Sequence, residues 1–225
     1  MQYLGFNWIE TLGPEARKNL LDRARLRKLP DSTILYRQGD ITHQFFQILD
    51  GSIRKYVLDD AGQEVLLYVY GKGDVVADSS ALDRSPYPVT IATQGETLLR
   101  VWTVQDLIEL RAVSPVYDIA IATQACHRLR GTLQIIQELV TLPVASRVAS
   151  HLVILAEHQY LTENGQELEL SQADLGLMIG TTRQTVSAIV NELKREGFIE
   201  TRYGKIIVKN LAGLREYSSR ARKAV

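Results

Sequence analysis

The chain has 225 residues, of which 45% are hydrophobic, and its formal net charge is zero. This length suffices for one large or two modest domains. No apolar run approaches the roughly 20 residues that span a bilayer, and MQYLGFNWIETLG lacks the basic start and apolar core of a signal peptide. The single cysteine, Cys126, excludes an intrachain disulfide and a cysteine-ligated metal centre within one subunit, so we expect a cytoplasmic protein.

The zero net charge conceals an uneven distribution. Residues 181–225 carry ten Lys and Arg against four Glu, whereas the remainder carries 16 basic and 22 acidic residues. Affinity for a phosphate backbone comes from local cationic charge, so a nucleic-acid partner is compatible with this sequence. A basic tail alone is equally typical of a solvated surface. The motifs beside it distinguish a nucleic-acid-binding surface from an ordinary one.

In the N-terminal half, the sequence pattern changes from helix-like to strand-like near residue 29. Residues 12–28 are typical of a helix with Leu20, Leu21 and Ala24 turned inward. Residues 29–104 contain short apolar runs punctuated by glycines that recur every 11 or 12 residues, and Asp50-Gly51 and Asp60-Ala61-Gly62 are typical of hairpin turns. Regular short strands of this kind predict an antiparallel barrel or jelly roll, closed by VTIATQGETLLRVWT.

A second helical region follows at 115–142. An apolar stripe recurs there at three- and four-residue steps, on a helix about 40 Å long; its members are Ile119, Ala122, Cys126, Leu129, Leu133, Ile136 and Val140. The stripe could pack on its own domain, but we favour a symmetric helix-to-helix dimer. Pro143 suits the first turn of the next helix, whose apolar sequence VASRVASHLVILAEHQ predicts the core of a second domain.

The most informative segment is 171–198, SQADLGLMIGTTRQTVSAIVNELKREGF. Ser171 and Asp174 form a capping-box-like start to a first helix, Gly180 ends it, and Thr181 or Thr182 can cap a second helix. On the second helix Val186, Ile189, Val190 and Leu193 share one face. The other face is short, polar and led by one arginine, as a helix that reads the major groove requires; it comprises Arg183, Gln184, Ser187, Ala188 and Asn191.

The segment FIETRYGKIIVKN then predicts a hairpin that turns at Tyr203-Gly204, which makes the C-terminal part a winged helix-turn-helix. These parts in this order resemble the Crp–Fnr superfamily of bacterial transcription regulators. The resemblance implies an α+β fold in three parts: an N-terminal antiparallel β-roll (a jelly roll like cyclic-nucleotide-binding domains) at 1–111, a dimerisation helix at 112–142, and a winged helix-turn-helix DNA-binding domain at 143–225. It also implies a homodimer that binds a palindromic DNA operator, with RNA polymerase as a further partner.

The resemblance assigns roles at the DNA end position by position. Arg183 matches the family's leading recognition-helix arginine, whose fork fits guanine O6 and N7. Gln184 and Ala188 differ from the cyclic-AMP receptor, which has glutamate and arginine there, so its operator is not carried over whole; Ser187 occupies a base-reading position of the Fnr branch. The remaining matches are positions that contact the DNA backbone, which orients the protein on the DNA without reading its sequence. They are Ser171, Thr182, Thr185 and, in the wing, Lys205.

The sensor part departs from the family. Cyclic-nucleotide binders carry a phosphate cassette with glycine-glutamate near its start and arginine-serine about ten residues later; here the cassette is residues 73–90, GDVVADSSALDRSPYPVT. Asp78 falls near the glutamate position, Ala77 replaces the glycine, and Tyr87-Pro88 or Pro88-Val89 replace arginine-serine. A buried phosphate without a cation is costly, so we do not expect a cyclic nucleotide. The candidate effector residues are Asp78, Ser79, Arg84, Ser85 and, on the long helix, Thr132.

Two other classes of function use a β-roll or β-barrel domain. A ligand-binding β-roll module that controls a protein partner would not need the basic winged domain. A cupin-like enzyme would need clustered histidine ligands in the barrel, where His43 stands alone, and no nucleophile, base and orienter occur together, so neither catalysis nor a metal site is expected. The effector and any need for one, the operator beyond a guanine in each half-site, the regulated genes, the sign of regulation and the polymerase-contacting surface stay open at this stage.

Overall fold

A computed structural model describes residues 7–158, 161–162, 165–168, 170–202 and 204–220. Their packing divides them into two compact units, one of residues 7–57 and 67–132 and one of residues 58–66 and 133–220. No helix among these residues combines the length and apolarity that crossing a membrane would need.

The N-terminal half is mostly antiparallel sheet with helices at both ends. Its elements up to the cassette are α1 (Trp8–Thr11), α2 (Pro14–Leu21), β1 (Arg25–Leu29), β2 (Ile34–Tyr36), β3 (Gln44–Leu58), β4 (Glu64–Tyr70) and β5 (Val75–Val76). They are followed by α3 (Asp78–Asp83), β6 (Thr90–Thr103), α4 (Val104–Val113) and α5 (Val116–Thr141). The strands pair in the order β1-β6-β3-β4, with β2 on β6 and β5 on β3, which confirms the predicted antiparallel β-roll.

Aromatic side chains fill the core of the roll beside α2. The rings of Phe45 and Trp102 stack with centroids 5.0 Å apart, and both residues are almost fully buried. The indole Nε1 of Trp102 donates to the carbonyl of Leu20 at 2.7 Å, so a buried polar group is satisfied by the end of the helix. This bond fixes the end of α2 against the sheet.

Two expectations for this half were wrong. The predicted helix over 12–28 ends at Leu21, and Arg25–Leu29 form a strand that pairs with residues 97–101 of β6. Pairing with β6 therefore overrides local helix propensity. Asp50-Gly51 is not a hairpin turn either, since β3 runs through it with shifts of register on both sides of Asp50. Gly51 has φ +79°, and a Cβ there would lie 2.6 Å from the carbonyl oxygen of Glu96, so the strand bends where only glycine fits.

The predicted long helix is present as α5, 26 residues from Val116 to Thr141. All seven members of its apolar stripe are exposed in the single chain, five of them with 51–80% of their surface accessible. The alternative in which the stripe packs on its own domain is therefore wrong.

The C-terminal elements are α6 (Val144–His158), β7 (Leu161–Thr162), β8 (Gly165–Leu168), α7 (Gln172–Met178), α8 (Arg183–Arg195), β9 (Ile199–Arg202), β10 (Lys205–Val208) and α9 (Leu211–Arg220). The strands form one antiparallel sheet in the order β7-β8-β10-β9. One apolar core joins α6, α7, α8 and the sheet, and Leu152, Leu175, Val190 and Leu193 are fully buried in it. The predicted start of α6 after Pro143 and the winged helix-turn-helix are confirmed.

Candidate nucleic-acid interface

The first helix of the pair, α7, begins with the predicted cap. The Ser171 hydroxyl oxygen accepts from the Asp174 backbone N–H at 3.0 Å, and the Asp174 carboxylate accepts in return from the hydroxyl and backbone N–H of Ser171. This reciprocal arrangement satisfies two donors at the helix start. The Ser171 hydroxyl therefore has a structural partner besides the DNA contact predicted for it.

The turn between the two helices is tight because of Gly176. A Cβ on Gly176 would lie 2.9 Å from the carbonyl oxygen of Thr181, so only glycine lets α7 come this close to the start of α8. Thr182 then caps α8, and its hydroxyl oxygen accepts from the backbone N–H of Thr185 at 3.2 Å. The start of α8 is thereby fixed relative to α7.

Helix α8 has two contrasting faces. Val186, Val190 and Leu193 are fully buried and Ile189 is nearly so, which holds the helix on the core. Arg183, Gln184, Ala188 and Asn191 are exposed on the opposite face, and Ser187 is half-buried beside them. The described residues form no hydrogen bond or ion pair with the Arg183 guanidinium. An exposed arginine fork at a helix start, followed by short side chains, can approach base edges without a steric barrier.

The predicted wing is the hairpin β9–β10. A groove of about 480 Å³ lies between the wing and the start of the helix pair, and its lining includes Ser171, Gln172, Arg183, Arg202 and Lys205. The ammonium group of Lys205 contacts a carboxylate oxygen of Glu167 on β8 at 2.8 Å. This hydrogen bond, opposed by partial burial, holds the pKa of Glu167 below its ordinary value. The structure thus brings the predicted Ser171, Arg183 and Lys205 to one concave surface.

The cassette of the β-roll contains a buried ion pair. Asp78, at the start of α3, is fully buried, and its carboxylate accepts from the Arg128 guanidinium at 2.6 Å and from the Gln124 amide at 3.1 Å. Arg128 also donates to the Val75 carbonyl and to the Ser79 hydroxyl. Burial disfavours the charge on Arg128, but Asp78 outweighs this cost, and the pKa of Arg128 lies above its ordinary value.

The other predicted effector residues do not join this network. Arg84 and Ser85 are exposed on the turn after α3, and the Thr132 hydroxyl donates to the carbonyl of Arg128 one helical turn before it. Tyr87 instead occupies the interior, 6% exposed, with its ring centroid 5.3 Å from that of Tyr36. Burial raises the pKa of the Tyr87 phenol well above its ordinary value, so it is neutral.

These residues do not fit a cyclic nucleotide. The Asp78 carboxylate, which falls near the ribose-binding position, already accepts from Arg128 and Gln124, and neither Tyr87-Pro88 nor Pro88-Val89 supplies a cation for the phosphate. Within residues 73–90 the arginine at 84 points outside the roll's buried core, as its exposure shows. A cyclic phosphate at the cassette would therefore meet Arg128, which Asp78 already pairs, and an Arg84 that is exposed to solvent.

Sequence reasoning missed Gln124, Arg128 and Arg202. A signal for the first two existed, since polar side chains four residues apart on α5 share one helix face. No local pattern pairs Arg128 with Asp78, which is 50 residues away. Among the described residues, no three His, Cys, Asp or Glu side chains cluster as metal ligands.

Comparisons with known proteins agree with this architecture. Residues 26–113 match the model of the cyclic nucleotide-binding domain, and residues 146–217 match the Crp-like helix-turn-helix domain. The cAMP-activated global transcriptional regulator CRP of Haemophilus influenzae is 25% identical over 191 residues, which are 84% of this chain and 85% of that protein.

Two solved structures extend the comparison. A CooA mutant from Carboxydothermus hydrogenoformans is 26% identical with a TM-score of 0.68, covering 95% of this chain and 96% of that one. FixK2 from Bradyrhizobium japonicum shares the fold with a TM-score of 0.74 at 18% identity, covering 86% of this chain and 96% of that one. With both domains matched in the same order, the chain belongs to the Crp–Fnr superfamily and is a DNA-binding transcriptional regulator.

Proposed function

We propose that the protein binds a palindromic operator as a homodimer and reads each half-site with the exposed face of α8. The observation that carries this proposal is the placement of Arg183 in the first turn of α8, exposed beside Gln184 and opposite a fully buried apolar face. An arginine fork matches guanine, and a glutamine amide matches adenine. Ser187 and Ala188 would complete the reading face, and Ser171, Thr182, Thr185 and Lys205 would contact phosphates.

The exposed stripe of α5 supports the homodimer. Five large aliphatic side chains are at least half exposed along one side of this helix, which is costly in water unless another surface covers them. A second copy of α5 presents the same stripe at the same spacing, so a two-fold contact is self-complementary. A dimer would present two copies of α8 about 34 Å apart, one turn of DNA.

We further propose that operator binding needs no cyclic nucleotide. In the cassette, the Asp78–Arg128 pair and the Tyr87 ring are buried against other parts of the chain, so the protein itself makes the contacts that a bound nucleotide would otherwise make. RNA polymerase in the cytoplasm is the partner that a regulator of this family would act on. We expect no catalytic activity.

The first experiment selects bound sites from random DNA and then compares variants on the selected operator. Arg183→Ala removes the fork, and Arg195→Ala is the matched control because it removes the same charge from the exposed last turn of α8. Each bidentate arginine–guanine contact discriminates by about 1–3 kcal/mol, so Arg183→Ala should lose about 5- to 150-fold of operator preference per half-site. Arg195→Ala should weaken operator and scrambled DNA alike. Unchanged operator preference in Arg183→Ala would refute the assignment of α8.

The second experiment titrates cyclic AMP and cyclic GMP into the protein–operator complex and follows affinity by fluorescence anisotropy. We expect no change with either nucleotide. Effectors that couple to a second site change affinity by about fivefold or more, so a change of that size would contradict nucleotide independence.

A further inference from the structure

The sheet of the winged domain carries two cations and two carboxylates on one face. Lys205 on β10 lies directly opposite Arg202 on β9, at the end of the hairpin. One alternating position farther, Ile207 of β10 lies between Glu200 of β9 and Glu167 of β8. Because side chains alternate with period two, all these residues share one face of the sheet. Two cations therefore stand at the hairpin end and two carboxylates behind them.

The two cations differ in what they touch. The Lys205 ammonium is held by Glu167 at 2.8 Å, and both side chains are only partly exposed, 38% for Lys205 and 24% for Glu167. The Arg202 side chain is exposed and forms no hydrogen bond or ion pair with the residues that the structure describes. Like charges directly opposite each other repel, so Glu167 also relieves the repulsion between the two cations.

The position of Arg202 in the groove indicates a role in DNA binding. Arg202 lines the groove between the wing and the helix pair together with Arg183, the proposed base-reading residue at the start of α8. DNA bound to α8 brings a phosphate strand past the wing, where the Arg202 guanidinium, which Glu167 attracts without an ion pair at contact distance, can displace counterions. A lysine already neutralised by a carboxylate displaces fewer, because Glu167 repels the same phosphate.

We propose that Arg202 is the principal phosphate-contacting cation of the wing and that Glu167 restrains Lys205, lowering the protein's affinity for DNA of any sequence. This rests on the proposed mode of DNA binding through α8. Because this effect does not depend on sequence, it lowers the affinity for operator and non-specific DNA by the same factor and leaves the ratio between them unchanged.

The test measures binding to the selected operator and to a scrambled duplex at several salt concentrations. Each phosphate contact contributes about 0.9 to the slope of log affinity against log salt, so Arg202→Ala should reduce the slope of a dimer by about 1.8. Its loss of affinity should then be about 12-fold larger at 50 mM than at 200 mM salt, equally on both duplexes. Arg202→Gln, which keeps an extended polar side chain, should behave alike.

The carboxylate is tested by a double-mutant cycle. In the wild-type background, Lys205→Ala should reduce the salt slope by less than half of the reduction that Arg202→Ala causes. In the Glu167→Gln background, Lys205→Ala should reduce the slope by as much as Arg202→Ala does. Glu200→Gln is the matched control, since it removes the same charge from the same sheet face and Glu200 contacts Lys209 at 3.8 Å. It should leave the effect of Lys205→Ala unchanged.

Two results would overturn the proposal: equal slopes for Arg202→Ala and wild type, or equal coupling of Lys205 to Glu167 and to Glu200. Failure of the underlying DNA-binding mode has a different signature, namely an operator preference that Arg183→Ala leaves unchanged. The two failures are therefore distinguishable in one set of titrations.

Discussion

Removing one partner of the buried Asp78–Arg128 pair should strongly destabilise the β-roll, and Asp78→Asn tests this. Asn keeps the size of the side chain but leaves the Arg128 charge without its carboxylate. Breaking a buried pair by removing one partner costs about 3–5 kcal/mol. Asp78 is fully buried, whereas the Arg128 side chain is 23% exposed and keeps its bond to the Val75 carbonyl, so we expect the lower end, about 3 kcal/mol.

For a chain of this length 1 kcal/mol shifts the thermal midpoint by about 2–4 °C, so the transition that reports the β-roll should fall by about 6–12 °C. Calorimetry and tryptophan fluorescence measure it, because Trp102 lies in the core of the roll. Glu109→Gln is the control: it breaks the Arg23–Glu109 pair, whose two side chains are 35% and 50% exposed, and should leave the midpoint nearly unchanged.

A second variant distinguishes the effect of the unpaired charge on stability from the effect of altered side-chain packing. Asp78→Asn combined with Arg128→Met removes both charges, so no buried charge is left without a partner, and the amide oxygen at position 78 can still accept from the Gln124 amide. The double variant should therefore recover most of the stability lost in Asp78→Asn. A midpoint for Asp78→Asn that equals the Glu109→Gln control, or a double variant less stable than Asp78→Asn, would refute this account of the cassette.

Three further predictions concern other parts of the chain. Burial lowers the pKa of His151 below 6.5, so the unfolded chain binds a proton first and unfolding free energy should drop as pH falls below about 6.5; His151→Gln should flatten this pH dependence in denaturant titrations. Gly51→Ala should cost more stability than Gly62→Ala, since both have positive φ but only Gly51 faces backbone at 2.6 Å. Leu133→Asp should halve the mass measured by light scattering, whereas Leu26→Asp on β1, where the side chain is 66% exposed against 56% for Leu133, should not.

The DNA end was predictable because its signals are local. Ser171 and Asp174 are three residues apart, the buried face of α8 repeats every three or four residues, and Thr182 precedes the helix that it caps. Each of these features is a relation between neighbours in the chain, so the sequence states it directly.

The strand at 25–29 and the Asp78–Arg128 pair could not be predicted in the same way. Arg25–Leu29 become a strand only because β6, some 70 residues later, offers an edge to pair with. Asp78 needs Arg128 from a helix 50 residues away, whereas the resemblance to nucleotide binders predicts a role for Arg84, which is near in sequence. Contacts of long sequence separation depend on topology, which periodicity does not encode.

The count of charges along the chain also does not show which cations pair with carboxylates that are distant in sequence. Residues 181–225 carry six more positive than negative charges, but Lys205 and Arg215 pair with Glu167 and Glu157, which precede that segment and were counted elsewhere. Because a paired cation releases fewer counterions, the charge available to DNA is smaller than the count and is concentrated where side chains are unpaired. Arg183 and Arg202 are such positions among the described residues, and both line the groove beside α8. Affinity should therefore depend on these two arginines more than on the basic character of the segment as a whole.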